Sequence, residues 1–333
     1  MDRGSWWDAP VLRSIGAVVD SSAHVRTDLD GIERVASWMA YEEFAVPSVP
    51  ILGAFDIGDD PDRIIDAGLF AGALNFAFTD FASGRKFEVD YLGHRWSDTE
   101  AMSARIHEAL EVDRPSLRGE WLAGVSATDL SNLFHGSVEM PMLAERASIL
   151  NEIGATLVDD YGGAFHPFVR DCAPALYADG DGLMERLITE FPRFRDVSSV
   201  DGNEVQFLKL AQLTTWLLHL ALHSSGAFVV QDLHRMSAFA DYILPMALRV
   251  MGVLEYSVEL ATAIDSGEEV RRDSREEIEI RAHTLFAMGH LTDAINRRRP
   301  ADLQVIVPQV DYRLWKPYHA SFVPHHLTRT VMY

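Results

Sequence analysis

The stretch EVQFLKLAQLTTWLLHLALHSSG (204–226) is apolar on nearly every face when wound as a helix, which marks a central helix surrounded by others. A second greasy run, YILPMALRVMGVLEYSVELATAIDSG (242–267), reads the same way, with Pro245 near its start and Gly267 past its end. Both carry His, Arg or Glu well inside the length of a membrane span, so they are read as core helices and no membrane partner is expected. Working outward, DGIERVASWMA (30–40) has helical spacing, and GDDPDRIIDAGLFAGALNF (58–76) opens with Asp60 as a cap and Pro61 at the first helical position. Ser97 with Glu100 makes a capping box before AMSARIHEAL, a surface-like helix. The block MPMLAERASILNEIGATLVDDYGG (140–163) sets Leu143, Ile149, Leu150, Ile153 and Leu157 on one face, and Gly162 and Gly163 end it. Ser274 and Glu277 open a long helix that runs to about Arg298, before Pro300. The clearest β signal is FAFTDFASGRKFEVDYLG (76–93), which alternates on both sides of Ser83–Gly84 as a hairpin does. The expectation is a mainly α, compact helical fold with a small β-hairpin element. It forms a single globular domain over 1–333, or two interleaved helical subdomains, 1–130 and 131–333.

The chain has 333 residues, with 29 Lys and Arg against 50 Asp and Glu, a formal net charge of −21 that argues against most nucleic-acid binders. Hydrophobic residues make up 48 %, enough to build a sizeable core and to exclude wholesale disorder. Cys172 is the only cysteine, so no internal disulfide forms and a reducing cytoplasm fits best. The opening MDRGSWWDAP lacks the basic and apolar regions of a signal peptide. No P-loop, G-x-G-x-x-G, H-E-x-x-H, G-x-S-x-G or zinc spacing is present, so familiar cofactor chemistry has no support.

Misplaced polarity supplies the candidates. Lys209 falls inside the apolar helix, where an ammonium needs an anionic partner or a lowered pKa, unless it snorkels off the helix end. Asp241, in SAFADYILP, reads equally as a perturbed carboxylate or as a helix N-cap. Glu277, Glu279 and Arg281 read as a helix start with an i,i+4 pair. His219 and His223, four apart, have the spacing of two metal ligands but no third, and read better as hydrogen-bonded core residues. His319, His325 and His326 lie in a tail that reads as a packed C-terminal strand rather than a metal cluster. Asp311 and Trp315 share one helical face, as a flat-ligand pocket or a plain amphipathic turn.

The ordered segments FPRFRD (191–196), EVQFLKLAQ (204–212), QDLHRMSAFADYILP (231–245), MGVLEYSVEL (251–260), EEIEIRA (276–282), DYRLW (311–315) and HHLTRTVMY (325–333) together resemble the queuosine salvage protein family. FHGSVEMPMLAERASILNEIGATL (134–157) is similar to it as well, and ALNFAF (73–78) carries the looser likeness of the first 130 residues. The resemblance implies a helical fold akin to DNA glycosylases and hydrolysis of queuosine 5′-phosphate to queuine and ribose 5-phosphate, with no cofactor. It implies that Asp241, in the intact motif Phe239-Ala240-Asp241-Tyr242, is the catalytic carboxylate and that Asp311 contacts the queuine base. Phe239, Ala240, Tyr242, Trp315, Asn75 and Phe78 complete the expected substrate-binding set. Three positions depart from the family pattern: Leu210 and Ile243 replace arginines, and Thr79 replaces a tryptophan.

The chemistry agrees with those residue types. Cleaving a nucleoside C–N bond passes through an oxocarbenium-like ribosyl cation, which an ionised carboxylate under C1′ stabilises, covalently or by activating water. Asp241 suits that part. Queuine lacks the N7 lone pair of ordinary purines, so its departure is helped by donors at another edge or it leaves as an anion held by hydrogen bonds, and its cationic arm suits an acidic neighbour such as Asp311. Lys209, Arg329 and His325 are the cations on offer for the 5′-phosphate. The acidic chain repels a tRNA backbone, so the expected partner is the free nucleotide or queuine, with no direct tRNA binding. A non-catalytic queuine- or nucleotide-binding protein and a glycosylase of another deazapurine nucleotide are the competing readings.

Overall fold

A computed structural model describes residues 7, 9–44, 46, 50–81, 83–112, 117–319, 321 and 323–333. Residues 1–6 and 8, on which the leader reading rests, lie outside them. Helices α1 (Pro10–Ser21), α2 (Leu29–Met39), α3 (Pro61–Ala73), α4 (Asp98–Glu111), α5 (Gly119–Leu122), α6 (Ala127–Leu133) and α7 (Leu143–Asp160) make up the first half. The second half holds α8 (Phe165–Asp171), α9 (Leu183–Glu190), α10 (Lys209–Leu222), α11 (Ile243–Val250), α12 (Val258–Ser266), α13 (Arg275–Asn296) and α14 (Val307–Tyr318). Three two-stranded antiparallel ladders are the β content of the described residues: β1 (Val25–Thr27) with β6 (Leu254–Tyr256), β2 (Glu88–Tyr91) with β3 (His94–Ser97), and β4 (Val197–Val200) with β5 (Asn203–Gln206). The fold is mainly α. None of the described helices is long and apolar enough to cross a membrane.

Several local signals act as their chemistry dictates. Asp60 caps α3, its side chain accepting from the Asp62 amide, with Pro61 at the first position. Ser274 caps α13 by accepting from the Glu277 amide. The helix ends near the expected place, and it is buried along almost its whole length against α1, α2, α11 and α14.

Elsewhere tertiary pairing overrides the local pattern. Residues 203–206 are not the start of the central helix but strand β5, turned back from β4 at Asp201–Gly202, where both residues have positive φ. The helix begins at Lys209, whose amide donates to Asp196 Oδ2. The run 242–267 is broken: α11 stops at Gly252, which has a φ of +67°, then β6 pairs with β1, and Ser257 caps α12. Partners distant in sequence decide both breaks. The hairpin reading is half right. A tight turn closes at Thr79 and Lys86 around Ser83–Gly84, but the main ladder lies further on, across Leu92–Gly93. Ser97 forms no side-chain cap, and α4 is buried on most faces because small residues, Ala101, Ser103, Ala104 and Ala109, let neighbours close on it. The C-terminal tail makes a single parallel bridge, Glu269 to Leu327, rather than a strand.

His283, deep in α13, has Thr27 Oγ1 and Ser22 Oγ each 2.8 Å from a ring nitrogen. Burial pushes its pKa down to about 4. The unfolded chain therefore binds the proton first, and this contribution to stability is intact above pH ~6.5 and lost as the pH falls toward ~4. Urea unfolding of His283→Gln from pH 7 to 4 should show a pH slope shallower than the parent's by about 1.4 kcal/mol per pH unit. Parallel slopes would contradict a neutral buried His283.

Candidate active site

The loop before α11 is the centre of the site. Asp241 Oδ1 accepts from the amides of Ile243 (2.8 Å) and Leu244 (3.2 Å), so the cap role is real. It occupies one oxygen only, and among the described residues no donor reaches Oδ2. Burial raises the Asp241 carboxyl above the usual range, while Lys209, the two amides and His325 pull it back.

Asp311, within α14, accepts from the Phe239 amide at 2.7 Å. Burial pushes its pKa well up, the amide offsets part of this, the Asp241 charge adds to it, and Lys209 opposes. Lys209 opens α10, buried, and dehydration lowers its pKa against the support of Asp241, Asp196 and Asp311. Three residues scattered over a hundred positions thus form one electrostatic unit around Phe239 and Ala240.

Tyr242 stacks on His325, ring centroids 4.5 Å apart at 28°. Burial raises its hydroxyl pKa, with Asp241 and then Asp98 adding to the rise. Asp98 takes the Lys86 ammonium at 2.6 Å, which brings the 79–86 turn to this side of the site. Arg329 lies over Phe81 of the same turn, 3.9 Å from its centroid. The segment holding Asn75 and Phe78 is fixed from behind. Arg146 of α7 donates to the carbonyls of Leu74, Phe76 and Ala77 and stacks on Phe76, with Arg193 also over that ring. Trp315 stacks against His319, one turn beyond Asp311. His219 accepts from the Val230 amide through Nδ1, and His223 stacks on it at 4.9 Å.

One participant was legible only as a helix partner of Glu277. Arg281 donates from Nε to the Ala240 carbonyl (3.1 Å), directly before Asp241, and grips Asp196 with both terminal nitrogens at 3.0 and 2.5 Å. Glu277 is 3.5 Å away, and the Phe207 and Tyr333 rings sandwich the guanidinium at 4.0 and 4.5 Å. Tyr333 in turn donates to Glu277. Because Asp196 also holds the Lys209 amide, Arg281 fixes both the aspartate loop and the lysine. A motif scan misses it because its role depends on contacts 41 and 85 positions away.

Comparison with known proteins matches most of this chain. The sequence model of the family described as "Queuosine salvage protein" matches residues 57–333. A protein of Sphaerobacter thermophilus named queuosine 5′-phosphate N-glycosylase/hydrolase is 30 % identical, the alignment covering 97 % of each chain. Proteins of the same name from Mus musculus and Bos taurus are each 26 % identical over 95 % of this chain and 96 % of theirs. The chain belongs to the queuosine salvage protein family.

Proposed function

We propose that the chain hydrolyses the N-glycosidic bond of queuosine 5′-phosphate to queuine and ribose 5-phosphate, serving queuine salvage, and that Asp241 is the carboxylate that meets the ribosyl cation. The observation that carries the residue assignment is the half-occupied Asp241: one oxygen locked by two amides, the other without a donor among the described residues, and Lys209 near enough to favour the ionised form. As the C1′–N bond breaks, positive charge grows on the sugar. A fixed anion stabilises that charge without reorganising.

Asp311 and Phe239 would face the base, with Ala240, Tyr242, Trp315, Asn75 and Phe78 framing it. His325, on the Tyr242 ring, and Arg329, over Phe81, would receive the 5′-phosphate. Lys209, buried among carboxylates, serves their charge balance more than the phosphate. No direct tRNA binding is expected of so acidic a chain.

The test is incubation of purified protein with queuosine 5′-phosphate, queuosine and guanosine 5′-phosphate without added metal, following free base by chromatography. Queuine should appear chiefly from the 5′-phosphate. Release from queuosine at an equal rate would remove the phosphate subsite, and queuine binding without release from any of the three would make this a binding protein.

A further inference from the structure

Four carboxylates, Asp196, Glu277, Asp241 and Asp311, share one buried region with three cations, Arg281, Lys209 and Arg193, the last facing Asp196. Arg281 is engaged by Asp196 and Glu277, at 2.5 and 3.5 Å. That leaves Lys209 facing two carboxylates, Asp241 and Asp311, which are 9 % and 3 % exposed. One ammonium cannot balance two buried anions, so the pair holds a proton.

The fixed dipoles decide where it sits. Asp241 takes two amides at the start of α11, where the helix favours negative charge, and its electrostatic neighbours also include His325. Asp311 takes a single amide, from Phe239 to Oδ2, and among the described residues no donor reaches Oδ1. The groups facing Asp311 are Lys209 from α10 and Asp241 from the loop before α11. Helix α13, also packed on α14, has Arg281 paired with both Glu277 and Asp196. Environments that push two carboxylates apart in this way assign an acid and a base.

We propose that Asp311 is the general acid of the reaction, handing a proton from Oδ1 to the departing base while Asp241 stays ionised. This rests on the hydrolase reading above. The C1′–N bond breaks with its electron pair leaving on the base. The Asp311 proton passes to an acceptor on the base, which leaves with its ring system uncharged, and Asp311 becomes a carboxylate beside Lys209. Water then adds to C1′, and the proton it loses restores Asp311. A deazapurine, without an N7 lone pair, needs a donor at another edge.

The test pairs kinetics with infrared spectroscopy. In Asp311→Asn, which keeps an acceptor for the Phe239 amide, kcat for queuosine 5′-phosphate should fall about 10²–10³-fold with KM within about threefold. Hydrolysis of 4-nitrophenyl riboside 5-phosphate, whose leaving group needs no proton, should change less than about threefold. In the parent, kcat should fall as pH rises through the Asp311 pKa, and the variant should lack that limb. The carbonyl band of a protonated carboxylic acid should be present in the parent at pH 7 and missing in the variant. Equal losses on both substrates, or no band difference between the proteins, would overturn the proposal. A parent that shows the band but releases no queuine would overturn the hydrolase reading, and the donor role with it, while leaving the shared proton standing.

Discussion

Asp241→Asn will lower kcat for queuosine 5′-phosphate by at least about 10³-fold while leaving the affinity for queuine within about threefold of the parent. The substitution is nearly isosteric. Asn retains an oxygen that accepts from the Ile243 and Leu244 amides, so the start of α11 keeps its cap. What disappears is the negative charge on the oxygen left without a donor. The base contacts proposed for Asp311 do not depend on it. Chromatographic rates and calorimetric titration with queuine read the two effects separately. Near-normal turnover by this variant would contradict the assigned role.

Arg281→Met carries the largest expected effect on stability. It deletes the partner of two buried carboxylates, Asp196 and Glu277, and the donor to the Ala240 carbonyl. Removing one partner from a buried ionic cluster costs about 3–5 kcal/mol, because the remaining charges are left uncompensated. For a chain of this size that corresponds to a fall in Tm on the order of 10 °C. Adding Asp196→Asn and Glu277→Gln should recover most of the loss, since neutral side chains no longer need the guanidinium. Arg281→Lys should recover little, because one ammonium cannot reach three acceptors in different directions. Calorimetric scans of the four proteins check this. A Tm unchanged in Arg281→Met would show that the network contributes nothing to the fold.

How much was legible in the sequence depended on how local each signal was. Asp60–Pro61 and Ser274 specify helix starts through their own amides, and the structure has α3 and α13 begin there. The stretches 204–208 and 242–267 misled because a short run containing apolar residues fits a helix segment and a strand alike. Pairing of β5 with β4, and of β6 with β1 more than two hundred residues earlier, settled both. Ser97 shows the same limit from the polar side. Its capping box exists as a pattern, but Asp98 takes a φ of 55° and pairs with Lys86 instead.

At the site, Asp241, Lys209 and Asp311 stood out because charged side chains in apolar runs are costly to bury. The alternatives set for Asp241 were not exclusive, since a carboxylate has two oxygens and the cap uses one. Arg281, Asp196 and Tyr333 stayed hidden. Each reads as an ordinary surface charge or terminal aromatic until the fold stacks them against Ala240 and Glu277.

A catalyst that severs queuine from its ribosyl phosphate turns over, whereas a binding protein does not. The most direct test is a time course of parent protein with a hundredfold excess of queuosine 5′-phosphate, quantifying queuine and ribose 5-phosphate together. The two should appear in a one-to-one ratio and rise well past one equivalent of enzyme. Queuine that never exceeds one equivalent, or that appears without ribose 5-phosphate, would contradict catalytic hydrolysis by this chain.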